Sequence, residues 1–483
     1  MIKSGGWYLV PAAFFLLLNF SSSEVKGLFF VRLAYFLFLL ALFFLCARFR
    51  LERILAPISG GIALIVFIYG IIQKFVFFPL ILEQVDSGPS FHAQALRARV
   101  ASGRIFAIFP LPTLYAMVCG LLLIFIIHYL YRARGFARLF WALLLLLGGF
   151  NLVLTQSFGG ILFFTAGILF YLIASRIFKA KYLALLLMVL ALVFFLVTAL
   201  RFSEAREMTP AKLRFANWAQ AGRVIAAAPL LGVGLGNYET AVPAYVYPGE
   251  PASIYAHNFF LQMAAEAGLP LFILLIVVCL PLLKKALAGF LRPENALFAS
   301  ACVLILFFNM FDVGNFFFAA GISFVVVFSQ LARPDDPARL RHFAIAALLA
   351  VPLLVHAAAA SRQQSGDLWL SRQEPERAQV LYRSALKLEP FSYRAWLGLA
   401  HIAWGKGDFP EAERLLARVL RLFPGQPFAN YRLSQAAQRR GAYLTALFLA
   451  RKAAAANKKN DEYQRWHEFI QSNLAKQPAL PGN

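Results

Sequence analysis

Three polar side chains recur at helical spacing in an otherwise apolar segment. Asn258, Gln262 and Glu266 occupy positions i, i+4 and i+8, so on a helix they form one stripe. At membrane depth such a stripe is costly unless it faces a protein or water-filled cavity. We therefore predict a functional site along it, with His257 at the mouth and Glu266 as a catalytic carboxyl. A regular helix separates His257 from Glu266 by about 180°, which argues against a direct dyad, and a plain interfacial histidine is the alternative.

Arginines on both sides of this segment suit a phosphate ligand, because the guanidinium group forms forked, charge-assisted hydrogen bonds. The segments 83–104 and 201–257 are the two longest loops that we predict outside the membrane. Their basic residues are Arg97, Arg99, Arg104, Arg201, Arg206, Lys212, Arg214 and Arg223. Their acidic neighbours are Asp86, Glu204 and Glu207. Simple ion pairing explains most of these cations, so we predict only Arg214 and Arg104 as phosphate-binding residues.

A glycine-rich run precedes the polar stripe. Gly232, Gly234 and Gly236 follow Pro229, and glycine lets the backbone turn sharply or approach a ligand closely. The run lacks the Gly-Lys-Ser/Thr of a nucleotide-binding loop, and no strand-helix context supports a dinucleotide fold. A tight structural turn is the favoured interpretation, and substrate contact by Gly234 and Gly236 is the alternative.

The elements that carry these residues are predicted to be membrane helices. The 483 residues are 61% hydrophobic and 14% charged, which excludes an ordinary soluble domain. The predicted spans are Trp7 to Phe20, Leu28 to Ala47, Ile58 to Leu80, Phe106 to Leu130, Leu139 to Thr155, Phe158 to Ser175, Tyr182 to Leu200, Leu269 to Leu283, Ala296 to Phe311, Asn315 to Leu331 and Phe343 to Ala360. The predicted fold class is all-α, a polytopic bundle of about eleven helices followed by a helical tail.

Lys and Arg mark one side of this bundle, as the positive-inside rule expects of cytoplasmic segments. They are Lys3, Arg48, Arg50, Arg53, Arg132, Arg134, Arg138, Arg176, Lys179, Lys181, Lys284, Lys285, Arg292, Arg333, Arg339 and Arg341. The N-terminus is therefore predicted in the cytoplasm. The loops 83–104 and 201–257 and the C-terminus are predicted on the opposite, extracytoplasmic side.

The formal net charge of +23 does not indicate a nucleic-acid partner. Most of it belongs to the cytoplasmic loops and to the solvated tail, whereas the external loops before the tail are balanced. The cysteines Cys46, Cys119, Cys279 and Cys302 lie inside apolar stretches with no histidine cluster nearby. Neither a disulfide framework nor a metal site is expected, and no cofactor is predicted.

After residue 360 the sequence becomes charged, rich in alanine and periodic. Residues 34 positions apart share their type, namely Ala378, Ala412 and Ala446, Leu381, Leu415 and Leu449, and Pro390 and Pro424. This period predicts two to three tetratricopeptide repeats, with a generic helix pair as the alternative. We expect a membrane domain at 1–361 and a repeat domain at 362–483, whose concave surface recruits a protein partner or a glycan.

The window from Arg214 to Gly268 resembles the signature of the O-antigen ligase and O-antigen polymerase family. The matching residues are Arg214, Trp218, Pro229, Gly232, Gly234, Gly236, Asn237, Tyr238, His257, Asn258, Glu266 and Gly268, with Thr155, Gln156, Ser157, Gly159, Gly160 and Asp312 outside the window. The resemblance extends over residues 93–331. It implies a metal-independent glycosyltransferase of the bacterial inner membrane that takes its glycan from a polyprenyl diphosphate.

The resemblance also implies roles for individual residues. The histidine at the position of His257 activates the acceptor hydroxyl, and arginines, Arg214 first among them, hold the donor diphosphate. The other predicted substrate-binding residues are Arg99, Arg104, Arg201, Trp218, Gly234, Gly236, Asn258 and Asp312.

Two positions depart from the family pattern. Phe158 stands where the family usually has an arginine, and Thr113 follows Pro112 where an asparagine is common. We expect Arg104 or Arg201 to replace the missing arginine, or the donor to bind differently.

The acceptor distinguishes the possible activities. A polymerase uses another lipid-linked repeat unit, a ligase uses lipid A core, and a protein O-oligosaccharyltransferase uses Ser or Thr. We favour a polymerase or ligase, because no sequence feature marks a peptide groove. A lipid-linked-sugar transporter would show internal symmetry and helices broken at mid-membrane, and a scaffold without chemistry would not need the polar stripe that ends at Glu266.

Overall fold

A computed structural model describes residues 9–84, 100–176, 210–251, 253–314, 317–332 and 340–475, which form helices joined by turns and loops. The helices of the membrane part are α1 (Leu9–Ser22), α2 (Lys26–Ala47), α3 (Glu52–Ile72), α4 (Phe78–Gln84), α5 (Pro112–Arg132), α6 (Gly135–Leu154), α7 (Phe158–Ser175), α8 (Pro210–Ala227), α9 (Phe259–Ala267), α10 (Leu269–Phe290), α11 (Ala296–Phe311) and α12 (Phe318–Leu331). The remaining helices are α13 (Leu340–Ser371), α14 (Pro375–Leu388), α15 (Tyr393–Gly405), α16 (Phe409–Leu422), α17 (Pro427–Arg439), α18 (Tyr443–Ala456) and α19 (Asp461–Ala475). The all-α fold class is confirmed.

Helix α5 is the centre of the bundle. Nearly all of its side chains are buried, and α3, α6, α7 and α11 pack around it. Small residues allow this close approach, since a Cβ atom at Gly120 would lie 3.0 Å from Leu304 of α11 and 3.1 Å from Phe164 of α7. The outer helices α2 and α10 expose rows of apolar side chains, such as Leu40 and Ile273, as lipid-facing surfaces do.

Seven described helices are long and apolar enough to cross a membrane, and all seven coincide with predicted spans. They are Lys26–Ala47, Ile54–Glu83, Pro112–Arg132, Gly135–Leu154, Phe158–Ser175, Leu269–Phe290 and Pro293–Phe311. Two shorter apolar helices, Pro11–Ser22 and Phe318–Leu331, also overlap predicted spans. Helix α5 begins at Pro112 rather than at Phe106, because proline is favoured in the first helical turn, where its missing N–H costs no hydrogen bond.

Two of the predicted spans are not among these helices. Tyr182 to Leu200 lies outside the described residues. Phe343 to Ala360 is part of α13, a helix of 32 residues that packs along α2 and then continues into the tail. The predicted domain border at residue 361 therefore falls inside a continuous helix, and the count of eleven spans stays a prediction.

Several connections meet at one end of the bundle, which we call the site end. Helices α1 and α2 are joined there by residues 23–25, and α6 and α7 by residues 155–157. Ile105 N, in the loop before α5, donates a hydrogen bond to Leu154 O at 3.2 Å. At the opposite end of the bundle, Glu52 pairs with Arg132 and His128. The segment from α8 to α9, which carries most of the predicted site residues, is joined to the site end.

The glycine-rich run forms a turn that packs on α9. Val233 N donates to Ala265 O at 2.9 Å, and Gly234 N donates to Glu266 O at 3.0 Å. Gly232 has a φ of 64°, and a Cβ atom there would lie 2.4 Å from the carbonyl oxygen of Glu266. Only glycine combines this left-handed conformation with so close an approach of two backbones.

The tail consists of antiparallel helix pairs joined by short turns. Gly407 has a φ of 77° and ends the first helix of the central pair, and Asp408 caps α16 by accepting a hydrogen bond from Glu411 N at 3.2 Å. The alanines at the repeating positions, Ala378, Ala412 and Ala446, are all fully buried. Their small side chains let neighbouring helices pack closely.

The tail is docked on the site end of the membrane part. Val25, at the start of α2, is buried in an apolar cluster with Tyr393 and Phe423 of the tail. Arg394 of α15 forms an ion pair with Glu239, which follows the glycine run. The tail and the site-bearing loops are therefore joined by both apolar and charged contacts.

Gly232→Ala should destabilise the protein, whereas Gly222→Ala should not. The first change places a Cβ atom in a left-handed conformation against backbone, and the two effects together cost about 2–4 kcal/mol. Gly222 lies in α8, where an added Cβ atom would have no neighbour within 4 Å, and alanine is the better helix former. Apparent melting temperatures in detergent test this pair, and equal melting temperatures for both variants would contradict the packing described here.

Candidate active site

The last turn of α11 is the point at which the predicted site residues meet. The final carbonyl groups of a helix have no partner within the helix, and here they accept hydrogen bonds from the segment between α8 and α9. Asn258 Nδ2 donates to Met310 O at 2.9 Å. Arg214 Nε donates to Phe311 O, also at 2.9 Å. The end of one membrane helix thus fixes two residues that are distant in sequence.

Asp312 follows this turn and is only 2% exposed. Its carboxylate accepts hydrogen bonds from Val313 N at 2.9 Å and Thr113 Oγ1 at 3.0 Å, and His257 Nδ1 lies 3.2 Å from Oδ1. Burial acts to raise the pKa of this carboxyl. The hydrogen bonds from His257 and the Val313 amide, with the positive charge of Arg214, outweigh burial and hold the pKa of Asp312 below its usual value.

His257 is held in an unusual backbone conformation. Its φ of 50° lies in the left-handed region, which costs energy for a residue with a side chain and is often found at functional sites. Trp218 Nε1 donates to His257 O at 3.1 Å, and Asn258 caps α9 by accepting from Leu261 N at 3.0 Å. Contacts on both sides of the residue therefore fix its orientation.

The two ring nitrogens of His257 have different surroundings. An ionised carboxylate can only accept hydrogen bonds, so Asp312 favours the tautomer with the proton on Nδ1. Among the described residues, Nε2 has no hydrogen-bond partner, and the side chain is 28% exposed. Its lone pair is available to a ligand, as in the histidine-carboxylate pairs of acyl-transfer enzymes.

Arg214 projects from the first turns of α8 beside this pair. Its Nε is bound to the Phe311 carbonyl, and its two Nη groups have no partner in the described ranges. One turn later Trp218 packs on the ring of Phe311, with a centroid separation of 5.9 Å. The guanidinium is half-buried, fixed at one nitrogen and free to bind an anion with the others.

Arg104 lies at the neighbouring junction between α6 and α7. Its Nε donates to Thr155 O at 3.1 Å, and Ser157 caps α7 by accepting from Gly160 N at 3.1 Å. A Cβ atom at Gly160 would lie 2.3 Å from Ala116 Cβ, so the first turns of α7 and α5 touch. Helix N-termini carry partial positive charge and favour anions, and α7 begins three residues after Thr155, whose carbonyl binds Arg104.

The Arg104 junction and the His257 pair adjoin each other through α5. Thr113 lies in the first turn of α5, one turn before Ala116, and binds Asp312. The ring of Phe163 in α7 also lies 5.6 Å from that of Phe311. The arginine, the two helix N-termini and the histidine pair therefore border one region of the site end.

Glu266 is bound on both carboxylate oxygens and is only 1% exposed. Gly236 N donates to Oε2 at 2.7 Å, and Gln262 Nε2 donates to Oε1 at 3.0 Å. The polar stripe on α9 thus faces the protein interior, where it fixes the glycine run. The structure places Glu266 with Gly236 rather than with His257.

The glycines of the run face the turn between α1 and α2. A Cβ atom at Gly234 would lie 2.0 Å from Ser23 Oγ, and one at Gly236 would lie 2.8 Å from Leu28 O. Arg99 and Arg201 lie outside the described residues. The predicted residues that the structure brings together at the end of α11 are Arg214, Trp218, His257, Asn258 and Asp312.

Sequence reasoning misses two residues that hold the site. Thr113 stands out in the sequence only as a departure from the family pattern, yet its hydroxyl binds Asp312. Asn19 is fully buried, and its Nδ2 donates to Leu231 O at 2.6 Å and Glu266 O at 2.7 Å. The sequence offers one signal for Asn19. It is a lone asparagine near the end of an apolar span, and polar groups at that depth need hydrogen-bond partners.

Asp312→Asn should lower stability above about pH 4, and the loss should shrink as the pH falls below that value. An unfolded aspartate titrates near pH 3.9, and the folded pKa of Asp312 is lower. Its stabilisation is therefore complete above the unfolded pKa and is lost as the pH falls through the folded one. We expect a loss of about 1–3 kcal/mol at pH 7, measured by unfolding in detergent between pH 3 and 7.

Asp461→Asn, at an exposed position in the first turn of α19, is the control. It should change stability much less than the Asp312 variant at pH 7. Equal stability of wild type and Asp312→Asn between pH 5 and 7 would show that the carboxylate is not held as described.

Two protein-family models match parts of the chain. Residues 142–276 match the family model described as O-antigen ligase, a range that contains Arg214, Trp218 and His257. Residues 365–427 and 397–462 match the tetratricopeptide repeat model. No curated protein matches the chain. Together with the apolar helices, these matches confirm the resemblance to the O-antigen ligase family with a tetratricopeptide tail, and they indicate a multi-pass inner-membrane protein of O-antigen ligase type.

Proposed function

We propose that the site transfers a glycan from a polyprenyl diphosphate to a sugar hydroxyl of an acceptor glycan, as an O-antigen polymerase or ligase does. The observation that supports this most is the arrangement at the end of α11. A histidine paired with a buried aspartate lies beside an arginine whose Nη groups are free among the described residues. Sugar transfer from a diphosphate needs both a base and a group that holds the leaving anion.

His257 acts as the general base in this proposal. Its Nε2 takes the proton of the acceptor hydroxyl while the hydroxyl oxygen forms a bond to the anomeric carbon of the donor. The bond from that carbon to the diphosphate oxygen breaks, and its electron pair leaves with the diphosphate. Asp312 stabilises the imidazolium that results, and the proton then passes to water. A diphosphate leaves without protonation, so no second carboxyl is required as an acid.

Arg214 and Arg104 hold the donor diphosphate in this proposal. Arg214 offers its Nη groups, and the N-termini of α5 and α7 add a positive field. The contact of Arg104 with Thr155 O supports its use in place of the arginine that Phe158 replaces, because Thr155 and Phe158 flank the same junction. The donor would lie between this junction and His257.

Other predicted residues act by positioning. Trp218 and Asn258 fix the backbone around His257. Glu266 fixes the glycine run through Gly236, so we assign it a supporting role rather than direct contact with substrate. The same holds for Gly234, which lies against the turn between α1 and α2.

His257→Ala should lower the rate of glycan transfer by about 10²–10⁴-fold, the usual contribution of a general base. Donor affinity should change little, because Arg214 and Arg104 remain. Transfer is measured in liposomes with a polyprenyl-diphosphate-linked oligosaccharide and its acceptor, and a melting curve checks the fold of the variant. Turnover like that of wild type would remove His257 from the mechanism.

Arg104→Ala should weaken binding of geranylgeranyl diphosphate, used as a lipid diphosphate probe, by about 10–100-fold. The double variant Arg104→Ala/Phe158→Arg should recover part of this loss, because it places a guanidinium at the same junction. Arg138→Ala is the matched control, since Arg138 is exposed in the first turn of α6, at the end remote from Thr155. Titration calorimetry provides the affinities, and an unchanged affinity for Arg104→Ala would contradict the assignment.

The acceptor is identified by deleting the gene and analysing the glycans of the cell. Loss of long polymer with retention of single units indicates a polymerase, and free polymer that is no longer attached to lipid A core indicates a ligase. Loss of glycan from proteins alone would contradict the glycan acceptor proposed here.

A further inference from the structure

The last part of the tail has a pocket that the proposed reaction does not use. Its volume is about 350 Å³, and its lining residues are Tyr431 of α17 and Glu462, Arg465, Trp466 and Phe469 of α19. Phe469 is 46% exposed, and Glu462 and Arg465 are also exposed. The pocket's volume lies at the lower end of the range of small-ligand pockets, and its walls combine aromatic rings with a few polar groups.

Hydrogen bonds fix the aromatic walls of this pocket. Trp466 Nε1 donates to Ser434 Oγ at 2.9 Å, and the ring of Tyr431 lies edge-on to Trp466 at 5.9 Å. Tyr431 OH donates to Glu462 Oε1 at 2.7 Å. The walls are therefore already ordered before a ligand binds, which lowers the entropic cost of binding.

We propose that this pocket binds sugar residues of the glycan that the membrane site elongates or transfers, an inference that rests on the proposed function. A sugar ring has an apolar C–H face that packs on aromatic rings and a rim of hydroxyls that both donate and accept hydrogen bonds. Phe469 and Trp466 supply the rings, and Arg465 supplies donors. Glu462 supplies hydrogen-bond acceptors beside Arg465. With one group of each charge, the pocket suits neutral hydroxyl groups better than a cationic or an anionic ligand.

Arg432 connects the pocket wall to the preceding repeat. Its guanidinium lies 5.4 Å from the ring of Tyr431 and 4.8 Å from that of Trp404. These contacts support the position of Tyr431 in the pocket wall.

The end of the tail that carries the pocket contacts the loop between α8 and α9. Lys459, just before α19, donates through Nζ to Glu250 O at 2.7 Å. The Glu250 carboxylate pairs with Arg223, which lies in α8, the helix that also carries Arg214. A glycan held in the pocket is thereby kept near the site that transfers it, which would favour repeated transfer to one chain.

Binding is tested with the full-length protein in lipid nanodiscs. The probe is the oligosaccharide released from the lipid-linked donor by mild acid, which carries no diphosphate lipid. Phe469→Ala and Arg465→Ala should each weaken its affinity by about tenfold and, in a polymerase reaction, should shorten the glycan products. Phe448→Ala, which removes a ring that is 58% exposed on α18, is the matched control and should change neither quantity.

The outcomes separate this inference from the proposed reaction. Unchanged affinity and product length in both pocket variants would overturn the glycan site, while loss of transfer in His257→Ala would still support the reaction. Transfer that survives His257→Ala, with oligosaccharide binding that depends on Phe469, would overturn the proposed base but keep the pocket. Binding of extended peptides that needs Phe469, without oligosaccharide binding, would overturn the glycan site in favour of a protein partner.

Discussion

The carbonyl groups at the end of α11 need partners that their own helix cannot supply. Arg214 and Asn258 provide these partners, and Phe259 N donates to the carbonyl of Asp312 at 3.1 Å. A requirement of backbone hydrogen bonding at a helix end thus fixes the arginine and the loop that carries the histidine. Asp312 completes the arrangement, because its buried carboxylate is shared by His257 and by Thr113 of α5.

The loop between α8 and α9 has a second support on its other side. Asn19 and Glu266 together bind the glycine run, and Asn237 Oδ1 accepts a hydrogen bond from Val25 N at 2.8 Å. The same turn between α1 and α2 contacts the tail. Membrane helices, site loop and repeats therefore share one set of contacts.

Sequence patterns predict the helices and the residues that meet at the end of α11, whereas the pairwise contacts need the structure. Apolar length and the 34-residue period indicate membrane helices and repeats, because both follow from local sequence. The polar stripe does lie on a helix. Helical spacing cannot distinguish a stripe that lines a cavity from one that belongs to a buried hydrogen-bond network, and Glu266 belongs to such a network. The bonds of Thr113 and Asn19 join segments separated by about 200 positions, a distance that periodicity does not encode.

We propose that Arg214, held by the end of α11, receives the donor diphosphate beside His257. A cryo-EM structure of the protein with bound geranylgeranyl diphosphate tests this most directly. We expect diphosphate oxygens about 3 Å from the Nη atoms of Arg214, with His257 Nε2 facing the position of the donor carbon and still paired through Nδ1 to Asp312. Diphosphate bound elsewhere, with the Nη groups of Arg214 taken up by protein atoms, would contradict it.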